Sequence, residues 1–205
     1  MIFHSIRAGL AVLAVSGLAL SGAAHAAGPV DPDWPCVQRL VPHLSLGQVW
    51  AGPQPDDAIA ALAKTAPVQE VARVIALRRT PMDQAESLIA AYAETSDAAG
   101  LTALYLAAFE QINTSRDRVL AGIARYAHKQ AGLDATIKEK RSEFARLSAA
   151  ATPDFDALDA VERDIDWSTR IFLDRQQSLT YVCETPVILE QRAFALGRAV
   201  MNHLP

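Results

Sequence analysis

Beyond residue 56 apolar residues recur at helical spacing, and nowhere do apolar and polar residues alternate long enough to suggest a strand. The strongest run occupies positions 105, 109, 112, 116, 119, 123, 126, 130, 133, 137, 140, 144 and 147, in alternating steps of four and three. Ten of these thirteen residues are apolar, and Arg116, Gln130 and Lys140 are the exceptions. Such spacing keeps one stripe of a helix facing a partner, as in a coiled coil. A second stripe runs through Leu158, Val161, Ile165, Ser168, Phe172, Arg175, Leu179 and Val182. The connection from Ala150 to Asp154 is short, so the two helices, about 101–149 and 155–183, are expected to be antiparallel neighbours.

A turn near residue 152 pairs positions whose numbers sum to about 304. This register sets Gln130 opposite Arg175 and Lys140 opposite Asp164, and leaves Arg116 near the last helix. Polar residues in an apolar seam specify register when they meet polar partners. The basic residues Lys138, Lys140, Arg141 and Arg146 are expected to face the acids between Asp154 and Asp166 across the hairpin.

Punctuation marks the remaining elements. Asp56 can cap a helix reaching about Thr65, and Pro67 can open a second that ends in Arg78-Arg79, cations suited to a helix C-terminus. Thr80-Pro81-Met82-Asp83 reads as a cap, a first-turn proline and a capping-box acid, starting a helix near 81–96. Ser96-Asp97 and Gly100 suggest a turn before the long segment. Thr-Pro pairs at Thr152-Pro153 and Thr185-Pro186 divide the C-terminal part of the chain, so a separate last helix is expected near 186–203. The fold class is all-α: a helical bundle with a long two-helix hairpin.

The N-terminal fifty residues differ. Met1 to Ala26 carries Arg7, the apolar run AGLAVLAVSGLAL and the small-x-small end Ala24-His25-Ala26, the layout of a cleaved signal peptide. Prolines at 29, 32, 35, 42, 53 and 55 then make 27–55 an extended arm, with a turn at Leu44–Val49, ahead of a bundle domain at 56–205. No later segment is apolar enough to span a membrane. Removing the leader takes away one base and no acid, which moves the net charge from −4 to −5. That balance argues against nucleic acid, which needs a concentrated basic face.

Two cysteines, Cys36 and Cys183, in an exported chain suggest one disulfide. The alternatives are a redox-active thiol pair, or a metal held jointly by Cys36 and His43. There is no Cys-x-x-Cys, no paired histidines at helical spacing, no G-x-S-x-G and no glycine-rich phosphate loop. Neither a catalytic residue nor a cofactor is expected.

The arm concentrates the distinctive residues. Asp33-Trp34-Pro35-Cys36, Gln38-Arg39, Pro42 and then Val49-Trp50 with Gly52-Pro53 follow one another within 21 residues. The pattern resembles the N-terminal arm of exported bacterial helical proteins, a resemblance that implies export and carries no activity with it. Two readings of the arm stand. Its apolar residues can pack on the bundle as a strap fastened by Cys36 to Cys183, or Trp34, Arg39, His43 and Trp50 can contact a small ligand, a metal or a partner. The expectation is a periplasmic or secreted non-enzymatic interaction or scaffold protein that docks on another envelope protein. The alternative is a small-ligand or metal-binding module centred on the arm.

Overall fold

Two long helices set the frame. In a computed structural model of the protein, residues 34–205 are described. The expected signal segment and the first residues of the arm lie outside them. The described residues form helices α1 (Leu46–Val49), α2 (Asp57–Leu62), α3 (Ala66–Ala76), α4 (Met82–Ala93), α5 (Ala98–Ser148) and α6 (Phe155–Met201), with no strand among them. Helices α5 and α6 run antiparallel and pack along one another, while α2 and α3 lie on α5, and α1 and α4 on α6.

The apolar seam forms as its spacing predicts. All thirteen seam positions of α5 are buried or half-buried. Lys140 Nζ lies 2.6 Å from Asp164, and Arg116 Nη2 lies 2.7 Å from Glu190. Gln130 stands within a turn of its expected partner but turns its amide N–H to the Phe172 carbonyl, 3.1 Å away, rather than to Arg175, which is exposed. The charge pattern is only partly inter-helical, since Lys138 pairs with Asp134 on its own helix at 2.7 Å.

Several boundaries differ from expectation. Helix α5 begins at Ala98, three residues early, because the Asp97 carboxylate accepts from the Gly100 N–H at 2.8 Å; Gly100 lies in the first turn and not in a loop. With 51 residues, α5 is about 75 Å long. Helix α6 runs unbroken through Thr185-Pro186, so no separate last helix exists. A proline inside a helix removes one hydrogen bond and costs about 3 kcal/mol or more. Here Pro186 is buried, and Cys183, Leu189, Ala193, Leu196 and Val200 continue the buried face on both sides of it. Tertiary packing holds the helix through the breaker. The same continuity moves the seam from Val182, which is 43% exposed, to Cys183, which is 4% exposed.

Helix α3 also ends early, before Arg78-Arg79. The cation at its C-terminus comes instead from α6. Arg192 is buried and donates to the Ile75 carbonyl from Nε (2.8 Å) and Nη2 (2.5 Å), and to the Thr80 carbonyl from Nη1 (2.9 Å). No carboxylate faces it in these bonds. The two carbonyls and the negative end of the α3 dipole compensate the charge, while burial pulls its pKa below the ordinary arginine value. Thr80 is drawn into the same node: its hydroxyl donates to the Val74 carbonyl at 2.8 Å. It therefore does not cap the next helix, and α4 starts at Met82 with Pro81 as its N-cap residue.

The core sits at one end of the frame. Leu101, Leu104, Tyr105, Phe109 and Ile112 of α5 meet Leu189, Leu196 and Val200 of α6, with Val68, Ile75 and Ile89 from the short helices and Leu44, Val49 and Trp50 from the arm. Beyond Ile112 the hairpin continues with far fewer buried residues, among them Ile123, Ala127 and Ile137. The arm shares the core with the helices and is not a separate layer.

Candidate functional site

The strap is built along the groove between α5 and α6. Cys36 is bonded to Cys183, with Cα atoms 5.6 Å apart. The Val41 and Pro42 carbonyls accept from the Arg116 guanidinium, which is itself 1% exposed and also holds Glu190. The Leu44 carbonyl accepts from the Asn113 side-chain amide at 3.0 Å. The Tyr105 hydroxyl lies 3.1 Å from both the Val49 and Ala193 carbonyls and shares its one proton between them. Burial of this phenol pushes its pKa up. Strap residues 36 to 49 therefore travel with α6 from 183 to 193 and against α5 from 116 to 105. An extended chain has no partners of its own for its carbonyls, and Tyr105, Asn113 and Arg116 supply donors one by one.

The end of the strap is fitted closely. Trp50 is 3% exposed and stacks on Tyr105 with ring centroids 4.4 Å apart. Its indole N–H donates to the Pro53 carbonyl at 2.8 Å, which folds the chain back so that any side chain at Gly52 would overlap the indole ring. On the facing helix, a Cβ at Gly197 would come within 2.7 Å of the Val49 carbonyl. Glycine at these two positions is what lets backbone and ring approach.

The structure does not bring the expected contact residues of the arm together. Trp50 is in the core. Trp34 is half-buried, and its indole N–H donates to the Gln38 carbonyl at 2.6 Å, within the strap itself. Arg39 and His43 are exposed. With Cys36 bonded to Cys183, no free thiol stands beside His43 to share a metal with it. Among the described residues, no group of three or more His, Cys, Asp or Glu side chains converges in a way that could hold a metal ion. No helix among them is long and apolar enough to cross a membrane. The disulfide fits an oxidising compartment.

Two features were not legible as sites beforehand. The first is a groove of about 420 Å³ beside the disulfide, where the strap meets the hairpin, walled by Pro35, Val37, Ala127, Phe172 and Leu179. The second is the outer face of α6. Phe155, Trp167, Leu173 and Tyr181 are 73, 63, 56 and 71% exposed, although the inner face of the helix is already paired with α5. Trp167, Tyr181 and Ile188 stand fourteen and seven residues apart, on one line of the helix. That heptad spacing was a readable signal, hidden by the stronger seam behind it. Comparison with protein-family models, with curated proteins and with solved structures found no match.

Proposed function

We propose that the protein is an exported, periplasmic or secreted interaction or scaffold protein, non-enzymatic, whose distal hairpin docks on another envelope protein. The single observation that carries this reading is the pair of exposed aromatics, Trp167 and Tyr181, on the outward line of α6. Large aromatic side chains at more than half exposure are the residue types that anchor protein interfaces when a partner covers them. The first turns of α6, on the tip side of Trp167, carry Asp156, Asp159, Glu162 and Asp166, while Arg163 and Arg170 flank Trp167 itself. The partner surface that fits is an apolar groove with a rim of mixed charge, basic toward the hairpin tip, and that charge would steer encounter more than add affinity. The proximal bundle acts as the rigid base that holds the hairpin out.

Site-specific photocrosslinking in cells exporting the protein tests this. A crosslinker at position 167 or 181 is expected to give one discrete adduct with an envelope protein, absent when it is placed at Lys64 or Glu94. With the crosslinker moved to the exposed neighbouring position Asp174 or Ser178, the Trp167→Ser, Tyr181→Ser double variant should lose the adduct while retaining its helical circular dichroism. Adducts of equal strength from all four positions, adducts with a second copy of this chain alone, or none at all would each overturn the reading.

A further inference from the structure

The groove beside Cys36–Cys183 has a chemistry of its own, independent of the outer face of α6. Its lining contains no ionisable side chain. A charged occupant would lose its hydration there without a counter-charge, which is costly, so the groove selects against ions. The apolar wall is provided by Phe172 and Leu179 from α6 and by Ala127 from α5. Val37 stands at the mouth with its side chain 99% exposed, the most exposed large apolar residue in the described chain, beside a groove whose occupant would cover it.

The polar side of the groove is one-handed. The Gln38 and Gln130 side-chain oxygens are buried and accept no hydrogen bond from the protein. Gln130 cannot reverse its amide without loss, because its N–H group is committed to the Phe172 carbonyl at 3.1 Å. What it presents is an acceptor. Two more buried oxygens without a protein partner, Tyr126 Oη and Thr169 Oγ1, belong to the adjoining turns of α5 and α6. Four of the five such atoms among the described residues thus gather at one level of the hairpin, and the fifth is the side-chain oxygen of Asn113, whose amide N–H holds the strap at Leu44. A buried acceptor left unmet costs about 1–3 kcal/mol, which a suitable donor restores. The terminal torsion of glutamine is broad, so a modest turn aims either oxygen at an occupant.

We propose that the strap, α5 and α6 together form a binding site for a neutral small molecule with an apolar body and at least one hydrogen-bond donor. The body lies on Phe172 and Leu179 under Val37, and the donor meets Gln130 and Gln38. A volume of about 420 Å³ suits a compact molecule, at the small end of ligand pockets. Because Cys36 holds the strap wall in place, the site exists only in the oxidised protein.

N-phenyl-1-naphthylamine, neutral and aromatic with one N–H, is the probe. Titrated into the oxidised mature protein, it should give a saturable fluorescence rise with one site per chain. Phenylalanine at the exposed positions Gln176 or Thr180 should block the groove and weaken binding at least about tenfold while leaving helicity and Tm unchanged. Gln130→Leu should weaken the probe about five- to tenfold but leave 1-phenylnaphthalene, which has no donor, unaffected. The Cys36→Ser, Cys183→Ser double variant should lose the site, and Trp167→Ser should keep it, which separates this site from the outer face of α6. An unsaturable signal, a signal indifferent to Gln176→Phe and to the open disulfide, or one abolished by Trp167→Ser would overturn the proposal, as would failure of the probe to bind at all.

Discussion

The proximal bundle and the distal hairpin use the same two helices and are held by different physics. In the bundle, residues 101–116 of α5 and 186–200 of α6 are surrounded by three short helices and the strap, and Leu104, Ile75, Ile89 and Leu196 are fully buried. Tyr105, Arg116 and Arg192 there are bonded to named carbonyls and a carboxylate, and among the described residues the Asn113 side-chain oxygen is the one buried side-chain polar atom of this region left unmet. In the hairpin only two helices meet, the seam is mostly half-buried, and unmet oxygens collect around Gln130. A helix pair without a third layer can bury only one stripe of each helix. The hairpin therefore leaves Trp167 and Tyr181 more than half exposed, whereas the most exposed large apolar residue of the bundle helices, Phe194, is 48% exposed and lies under the Arg198 guanidinium. The features that look functional lie in the thinner region, where local opening is also easier.

The disulfide marks the border between the two regions, and opening it should have the largest effect. The bond closes 147 residues of sequence separation, worth about 5 kcal/mol in the chain-entropy account. Urea unfolding with and without reductant should show an unfolding free energy lower by that order in the reduced protein, with hydrogen exchange rising first in the strap. An unchanged free energy would mean that the carbonyl clamps alone hold the strap. Next in size, Leu104→Ala should cost about 2–5 kcal/mol. Ile137→Ala in the hairpin should fall below about 2 kcal/mol, because a two-helix seam can close over the lost volume. Equal losses would erase the distinction between the regions.

Glu190→Gln removes the carboxylate from the buried Arg116, and a charge-assisted bond of this kind is worth about 1.5–3 kcal/mol. The substitution should loosen the strap, read as faster exchange near residues 41–44, without loosening the hairpin tip. Alkaline pH probes the same clamp. Burial raises the Tyr105 phenol above its ordinary value of about 10. The unfolded chain therefore releases this proton first. Its contribution to stability is complete below pH about 10 and declines as pH climbs toward the folded value, by at most about 1.4 kcal/mol per unit. Urea midpoints at pH 8 and 11 should show this loss, and Tyr105→Phe should flatten it. The smallest effect belongs to the hairpin surface. Lys140→Ala breaks the partly exposed pair with Asp164 and should cost about 0–1 kcal/mol, less in high salt.

Sequence alone determined the helical class, the long antiparallel hairpin and its register to within a few residues. It did so because the four-three spacing of one helix repeats in the other, and because Lys140 and Asp164 sit at matching depth from a short turn. It also pointed to the pairing of Cys36 with Cys183, since two cysteines allow only one disulfide within a chain and no Cys-x-x-Cys or paired-histidine motif competes for them. Tertiary structure decided the rest. Thr185-Pro186 reads as a break, and only burial on both sides carries α6 through it. Arg78-Arg79 read as the cations at the end of α3, but Arg192 takes that place from 117 residues away along the chain. The acceptors that gather where the strap meets the hairpin belong to Gln38 and Gln130, glutamines that no spacing rule singles out. Periodicity reports which face of a helix turns inward. Which distant carbonyl, ring or amide it then meets depends on the assembled chain, because that partner is close in space and remote in sequence.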